Sequence, residues 1–125
     1  IEYLQLANTS TYDVLGHLTY PYRYIRQRGE SYPIIDEALA EIMKAAIRQG
    51  KGIEINTSTP EFTLPLKKHL QLYKDLGGEI VSVGSDSHSP QRVGTGIKLG
   101  HQILKEVGFK YATYFEKRNP VFVKI

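Results

Sequence analysis

The sequence contains no cysteine among its 125 residues. Disulfide bonds and thiolate metal ligands are therefore excluded, and the absence fits the reducing cytoplasm, where we expect this protein to function. No apolar run approaches the ~20 residues of a membrane span, and no secretory signal is recognisable. We expect a soluble protein without a membrane partner.

An excess of charge of one sign is also missing. Sixteen Lys and Arg residues against thirteen Asp and Glu residues leave a net charge of +3. The basic residues are dispersed apart from Arg23, Arg26 and Arg28, and no basic run alternates with aromatic residues as a platform for single-stranded nucleic acid requires. We therefore expect no nucleic-acid partner, and the weak positive charge suits a small anionic substrate.

Strand-like and helix-like patterns alternate along the chain. Apolar spacing and Pro/Gly punctuation predict a helix end at Ile1–Ala7, strands at Tyr12–Gly16, Ile53–Asn56, Glu79–Val83 and Lys110–Phe115, and helices at Ile34–Gln49, Leu66–Leu76 and Gly96–Val107. Residues Glu116–Pro120 are predicted to form a loop, and the apolar terminus Val121–Ile125 to pack against the rest. This alternation is typical of the α/β class, with a parallel sheet and helices outside it.

The third predicted strand leads into Gly84-Ser85-Asp86-Ser87-His88. Asp86 and His88 are two positions apart on extended chain, so their side chains can project from the same face. A carboxylate beside an imidazole suits zinc, manganese or iron, and parallel α/β folds build such sites at the carboxyl ends of their strands. The alternative is that Asp86 caps the next segment and His88 is a surface histidine.

Other polar residues follow the remaining predicted strands. His17 ends the first strand, as a ligand or as a core histidine bonded to a carbonyl. Asn56 ends the second strand and either faces the site or forms an Asx-turn. The guanidinium of Arg23 matches phosphate oxygens in pairs, although a solvated or aromatic-stacked arginine is the alternative. His69 and His101 lie on predicted helices without ligand partners at suitable spacing, so we expect both to be exposed.

Four segments together resemble one known family. Gly84–Pro90 resembles the last metal-binding motif of the polymerase and histidinol phosphatase (PHP) superfamily. Asp13–Pro21 is similar to an earlier histidine motif of its histidinol-phosphatase branch, Gly52–Ser58 to the strand between them, and Tyr114–Pro120 to the end of that branch. The segments occur in the family's order across nearly the whole chain.

The resemblance implies a fold and a ligand set. The PHP fold is a distorted β/α barrel of about seven units, roughly twice this length. Residues 1–125 would form the carboxyl-terminal part of one such domain, about half of a seven-stranded barrel with parallel strands and helices outside, and the amino-terminal half would be absent. Up to three divalent ions (zinc, manganese or iron) would bind, with Asp86 on the first, His88 on the second and His17 on the third. The family's other ligands would precede Ile1.

The implied activity is metal-dependent hydrolysis of a phosphomonoester, histidinol phosphate, in histidine biosynthesis. Arg23 would be catalytic and would hold the substrate phosphate. Asn56 is a second candidate for substrate binding because of its place at the end of the second strand. Thr19 departs from the motif, because some relatives carry an acidic residue at this place. Alternatives are another PHP-type phosphoesterase or nuclease, and a non-catalytic fragment or assembly module. Half a barrel leaves unpaired strand edges, which the missing half or self-association would cover, so we expect the isolated chain to have little activity.

Overall fold

The computed structural model of the chain describes residues 2–20, 33–58 and 67–125. Its elements in chain order are α1 (Glu2–Ala7), β1 (Val14–Leu15), α2 (Pro33–Arg48), β2 (Gly52–Asn56), α3 (Lys67–Asp75), β3 (Val81–Gly84), a 3₁₀ turn (Pro90–Arg92), α4 (Ile97–Val107), β4 (Tyr111–Glu116) and β5 (Asn119–Lys124). The predicted alternation is present, although Leu66, where a helix was expected to begin, lies outside the described residues. None of the helices in these ranges has the length and apolar character needed to cross a membrane.

The first three strands form one parallel sheet with β2 in the centre. Ile53 and Ile55 alternate along β2 and are 1% and 0% exposed, so one face of the sheet is buried against the helices. Side chains at the positions between them face the other way. The predicted α/β class with a parallel sheet is therefore confirmed for this part of the chain.

The helices cover the sheet through apolar residues spaced three and four apart. In α2 the buried positions include Leu39, Ile42, Met43 and Ala46, which form one stripe. The chain leaves α4 at Gly108, whose φ of 95° is left-handed and whose N–H bonds to carbonyls of the last helical turn. Glycine is favoured at such a helix end because it has no Cβ to clash.

The carboxyl-terminal region differs from the sequence prediction. β4 was expected to continue the parallel sheet, but it pairs antiparallel with β5 in a separate two-stranded sheet. The loop predicted over Glu116–Pro120 is only a two-residue turn, Lys117 and Arg118, with φ of 48° and 67°. Positive φ at both positions is the geometry of the two-residue turns that reverse the chain direction in a β-hairpin. Of the terminal apolar residues, Ile125 packs against the core as expected, whereas Phe122 and Val123 are 46% and 47% exposed.

The prediction for His69 is also wrong. His69 is 2% exposed, and its Nε2 lies 2.8 Å from Oδ1 of Asp36, which joins α3 to α2. Burial is the main cause that lowers the pKa of His69, and the Asp36 hydrogen bond opposes it. The partner lies 33 residues upstream, so spacing along the helix did not reveal it. His101 is half-buried rather than exposed.

Candidate metal site

The three predicted metal ligands lie beyond the carboxyl ends of two parallel strands. His17 lies two residues beyond β1, and Asp86 and His88 lie two and four residues beyond β3. Since carboxyl ends of parallel strands share one edge of a sheet, the three residues emerge at the same edge. All three are exposed. His17 and Asp86 have φ of 33° and 45°, a conformation that non-glycine residues rarely adopt and that is concentrated at functional sites.

The loop carrying Asp86 and His88 is held at both ends by Thr57, which follows β2. The Thr57 N–H donates to the Gly84 carbonyl at 2.8 Å, and its hydroxyl lies 3.2 Å from the same oxygen and 2.6 Å from the Thr95 carbonyl. Thr57 is fully buried. The loop between residues 84 and 95 is therefore tied to the central strand.

The two candidate histidines have their Nδ1 atoms engaged within the protein. Nδ1 of His88 lies 2.9 Å from the Asp86 carbonyl, which only accepts, so this nitrogen carries the proton. Nδ1 of His17 lies 3.3 Å from the hydroxyl of Tyr3, and that hydroxyl donates to the Gly16 carbonyl at 3.2 Å. The Tyr3 oxygen then accepts from Nδ1–H of His17. The Nε2 atom of each ring is not used by these contacts, and a histidine whose Nδ1 is held by a protein oxygen in this way is the arrangement common in metal sites.

Glu54 is a site residue that sequence reasoning missed. It lies on β2 between Ile53 and Ile55, and its Oε2 accepts the backbone N–H of His17 at 3.0 Å. Burial, and secondarily the charge of Glu54, raise the pKa of Tyr3. The sequence did contain a signal for this residue: Glu54 is an acidic residue within an apolar central strand. Burying part of a carboxylate is unfavourable unless it has a hydrogen-bond or charge partner.

The predicted substrate residues are placed differently. Asn56 is 1% exposed, and its Oδ1 accepts from the N–H and hydroxyl of Ser58 at 3.0 and 2.7 Å. The Asx-turn alternative is therefore formed, and a role of Asn56 in substrate binding stays a prediction. Arg23 lies outside the described residues.

A complete metal shell is not assembled by the described ranges. Within residues 2–20, 33–58 and 67–125, no group of three or more His, Cys, Asp and Glu residues is placed to hold a metal ion. The donor types nevertheless fit zinc, manganese or iron, because Asp86 offers a carboxylate and His17 and His88 each offer Nε2.

The chain is similar in sequence to proteins named histidinol-phosphatase. No family model matches the chain. It is 30% identical over 108 residues to a probable histidinol-phosphatase from Thermotoga maritima, covering 80% of this chain and 43% of that protein. It is 33% identical over 112 residues to the histidinol-phosphatase of Lactococcus lactis, covering 83% and 40%. The chain thus spans less than half the length of these curated relatives.

A solved structure agrees with these sequence matches. The backbone superimposes with a TM-score of 0.74 on histidinol phosphate phosphatase from Lactococcus lactis, solved with zinc, L-histidinol and phosphate. The identity is 28%, and the match covers 96% of this chain and 49% of that one.

Proposed function

We infer that this chain, which is related in sequence and backbone to the histidinol-phosphatases, supplies part of the active site of a metal-dependent phosphomonoesterase. The substrate we propose is histidinol phosphate, cleaved to histidinol and phosphate in histidine biosynthesis in the cytoplasm. The solved relative was crystallised with zinc, L-histidinol and phosphate, which supports this substrate class.

One observation carries the proposal. His17, Asp86 and His88 emerge at the same edge of the parallel sheet, and both imidazoles have Nδ1 fixed by protein oxygens. We propose that Asp86 Oδ and the Nε2 atoms of both histidines hold divalent ions there, up to three in the complete enzyme. Such ions, when bound, lower the pKa of a bound water and neutralise developing charge on phosphoryl oxygens.

The remaining roles belong to side chains that bind and orient the substrate. We propose that Arg23 grips the phosphate with its planar pair of donors and fixes its orientation. We also propose that Asn56 contributes to substrate binding at the same edge of the sheet, where its side chain forms an Asx-turn at the end of β2.

We further propose that this chain is the carboxyl-terminal part of a PHP-type domain, a β/α barrel of about seven strands. Two facts support this: it spans 43% and 40% of its curated relatives, and its described residues do not form a three-ligand metal group. The missing ligands would come from an amino-terminal half, and exposed sheet edges would pair with that half or by self-association. The isolated chain is therefore expected to hydrolyse little or no substrate.

The test measures phosphate release from histidinol phosphate by a longer protein that includes this chain and the amino-terminal half. Asp86→Ala and Arg23→Ala should each lower turnover at least about a hundredfold, because each removes a group that holds or stabilises transition-state charge. Asp75→Ala, at an exposed position of α3, is the matched control and should leave turnover unchanged. Unchanged turnover in both site variants would overturn the mechanism.

Two further measurements separate the alternatives. Other phosphomonoesters and single-stranded DNA, tested with the same protein, distinguish a histidinol-phosphatase from another PHP-type phosphoesterase or nuclease. Robust hydrolysis by the purified 125-residue chain would contradict its proposed incompleteness. Metal analysis of both samples identifies the ion.

A further inference from the structure

We propose that Glu54 is a positioning residue of the candidate metal site: its carboxylate holds the backbone of His17 so that the imidazole faces the ion. This inference rests on the proposed function, because it gives Glu54 a purpose only if His17 binds a metal. It adds a residue that does not itself touch the substrate or the ion.

The position of Glu54 on the sheet makes this contact possible. Ile53 and Ile55 point into the helix-covered core at 1% and 0% exposed, so Glu54 projects from the opposite face of the central strand. Its Oε2 accepts the backbone N–H of His17 at 3.0 Å across to β1. A hydrogen bond to a charged acceptor is stronger than one between neutral groups, and this one fixes a residue whose φ is 33°.

Two glycines, Gly84 at the end of β3 and Gly16 directly after β1, leave room for the carboxylate. A Cβ added at Gly84 would overlap Oε1 of Glu54 and lie 3.2 Å from its Cδ, and a Cβ at Gly16 would lie 3.5 Å from Oε2. The Glu54 head thus bridges the ends of β1 and β3, from which His17 and Asp86 emerge.

The charge of Glu54 is also available to the site. Among the ion pairs of the described residues, none includes Glu54. A half-buried carboxylate that has no ion-pair partner within residues 2–20, 33–58 and 67–125 favours a bound cation nearby, because Coulomb attraction strengthens where water is partly excluded.

The first experiment measures amide hydrogen exchange of the metal-free 125-residue chain by NMR. Glu54→Ala should speed exchange of the His17 amide about 10- to 100-fold, as loss of a hydrogen bond to a charged group predicts. Gly84→Ala should have a similar effect with Glu54 still present, since the new methyl displaces the carboxylate and the φ of Gly84 is not left-handed.

Two variants and one reference amide separate positioning from general stability. Glu54→Gln keeps an acceptor oxygen and should restore most of the protection at His17, whereas Glu37→Ala, at an exposed position of α2, should change nothing. The amide of Leu104, a core residue 0% exposed, reports global opening. Equal acceleration at His17 and Leu104, or no acceleration at His17 in Glu54→Ala, would overturn the proposal.

The second experiment makes the same variants in the longer protein that includes this chain and the amino-terminal half, titrates them with Zn²⁺ and follows the ring nitrogens of His17. Glu54→Ala should weaken zinc binding at His17 about 10- to 100-fold, the range found when a partner of a metal ligand is removed. Unchanged affinity would overturn the proposed positioning role. No zinc response at His17 in the unaltered longer protein would overturn the metal assignment of the proposed function, and the amide measurement still decides whether Glu54 holds His17.

Discussion

The same substitution at two buried threonines should change stability in opposite directions. Thr57 and Thr113 are 0% and 4% exposed. The Thr57 hydroxyl lies 2.6 Å from the Thr95 carbonyl, whereas the Thr113 hydroxyl has no hydrogen-bond partner among the described residues. Valine replaces the hydroxyl by a methyl of nearly the same size at both positions, so the difference isolates the hydrogen bond.

The magnitudes follow from what each hydroxyl does. Thr57→Val leaves the Gly84 carbonyl satisfied by the Thr57 N–H at 2.8 Å, but the Thr95 carbonyl loses its short partner. We expect a loss of about 1–2 kcal/mol in the free energy of unfolding. Thr113→Val removes a buried hydroxyl whose desolvation is uncompensated, and we expect a gain of about 1 kcal/mol.

Urea denaturation of the chain and both variants, followed by circular dichroism, is the assay. The two expected changes differ by about 2–3 kcal/mol, so with a slope of about 1–3 kcal/mol per molar urea the two variant midpoints should differ by roughly 0.7–3 M, with Thr113→Val the higher. The wild-type midpoint should lie between them. Equal shifts, or a lower midpoint for Thr113→Val, would refute the assignment of these hydrogen bonds.

Three other predictions follow from charge and packing. The pKa of His69 is lowered mainly by burial, so below about pH 6.5 the unfolded chain binds more protons than the folded chain. The free energy of unfolding should therefore fall as the pH is lowered through this range, and it should fall less steeply in His69→Gln. Urea midpoints measured at several pH values test this. The hydrogen bond from Arg118 is the largest cause of the lowered pKa of Asp13, so Arg118→Gln should raise that pKa in a carboxyl NMR titration. The Arg118→Gln variant should be less stable than the unaltered chain at pH 7, and this difference in stability should shrink as the pH falls below about 4. In Gly52→Ala the new Cβ would lie 2.6 Å from the backbone oxygen of Ile80, so thermal or urea unfolding should show a loss of about 1–3 kcal/mol.

The parts of the fold that were predictable are those encoded locally. Helix periodicity over α2 and α4, glycines at helix ends and β-branched runs for β2 and β3 are all read within a few residues. The hairpin was missed because its turn, Lys117-Arg118, contains neither Gly nor Asn, the residues that usually signal positive φ. Nothing in the order of residues distinguished a fourth parallel strand from an antiparallel pair.

The residues of the candidate site were likewise predictable only where the evidence for them is local in the sequence. Asp86 and His88 were visible because they are two residues apart in one loop, and Asn56 was visible at a strand end. Glu54 was not recognised, because its partner His17 is 37 residues away. Its function is apparent only when β1 and β2 lie side by side.

The sequence by itself determined which segments before β5 become strands and helices, and it placed an acid and imidazoles after the strands. Both follow from short-range spacing and backbone preference. Only the tertiary structure decided that Glu54 reaches the backbone of His17, that Thr57 ties down the loop of Asp86, and that the last two strands leave the parallel sheet. The physical reason is that hydrogen bonds across strands depend on register and burial, which no local stretch of chain specifies.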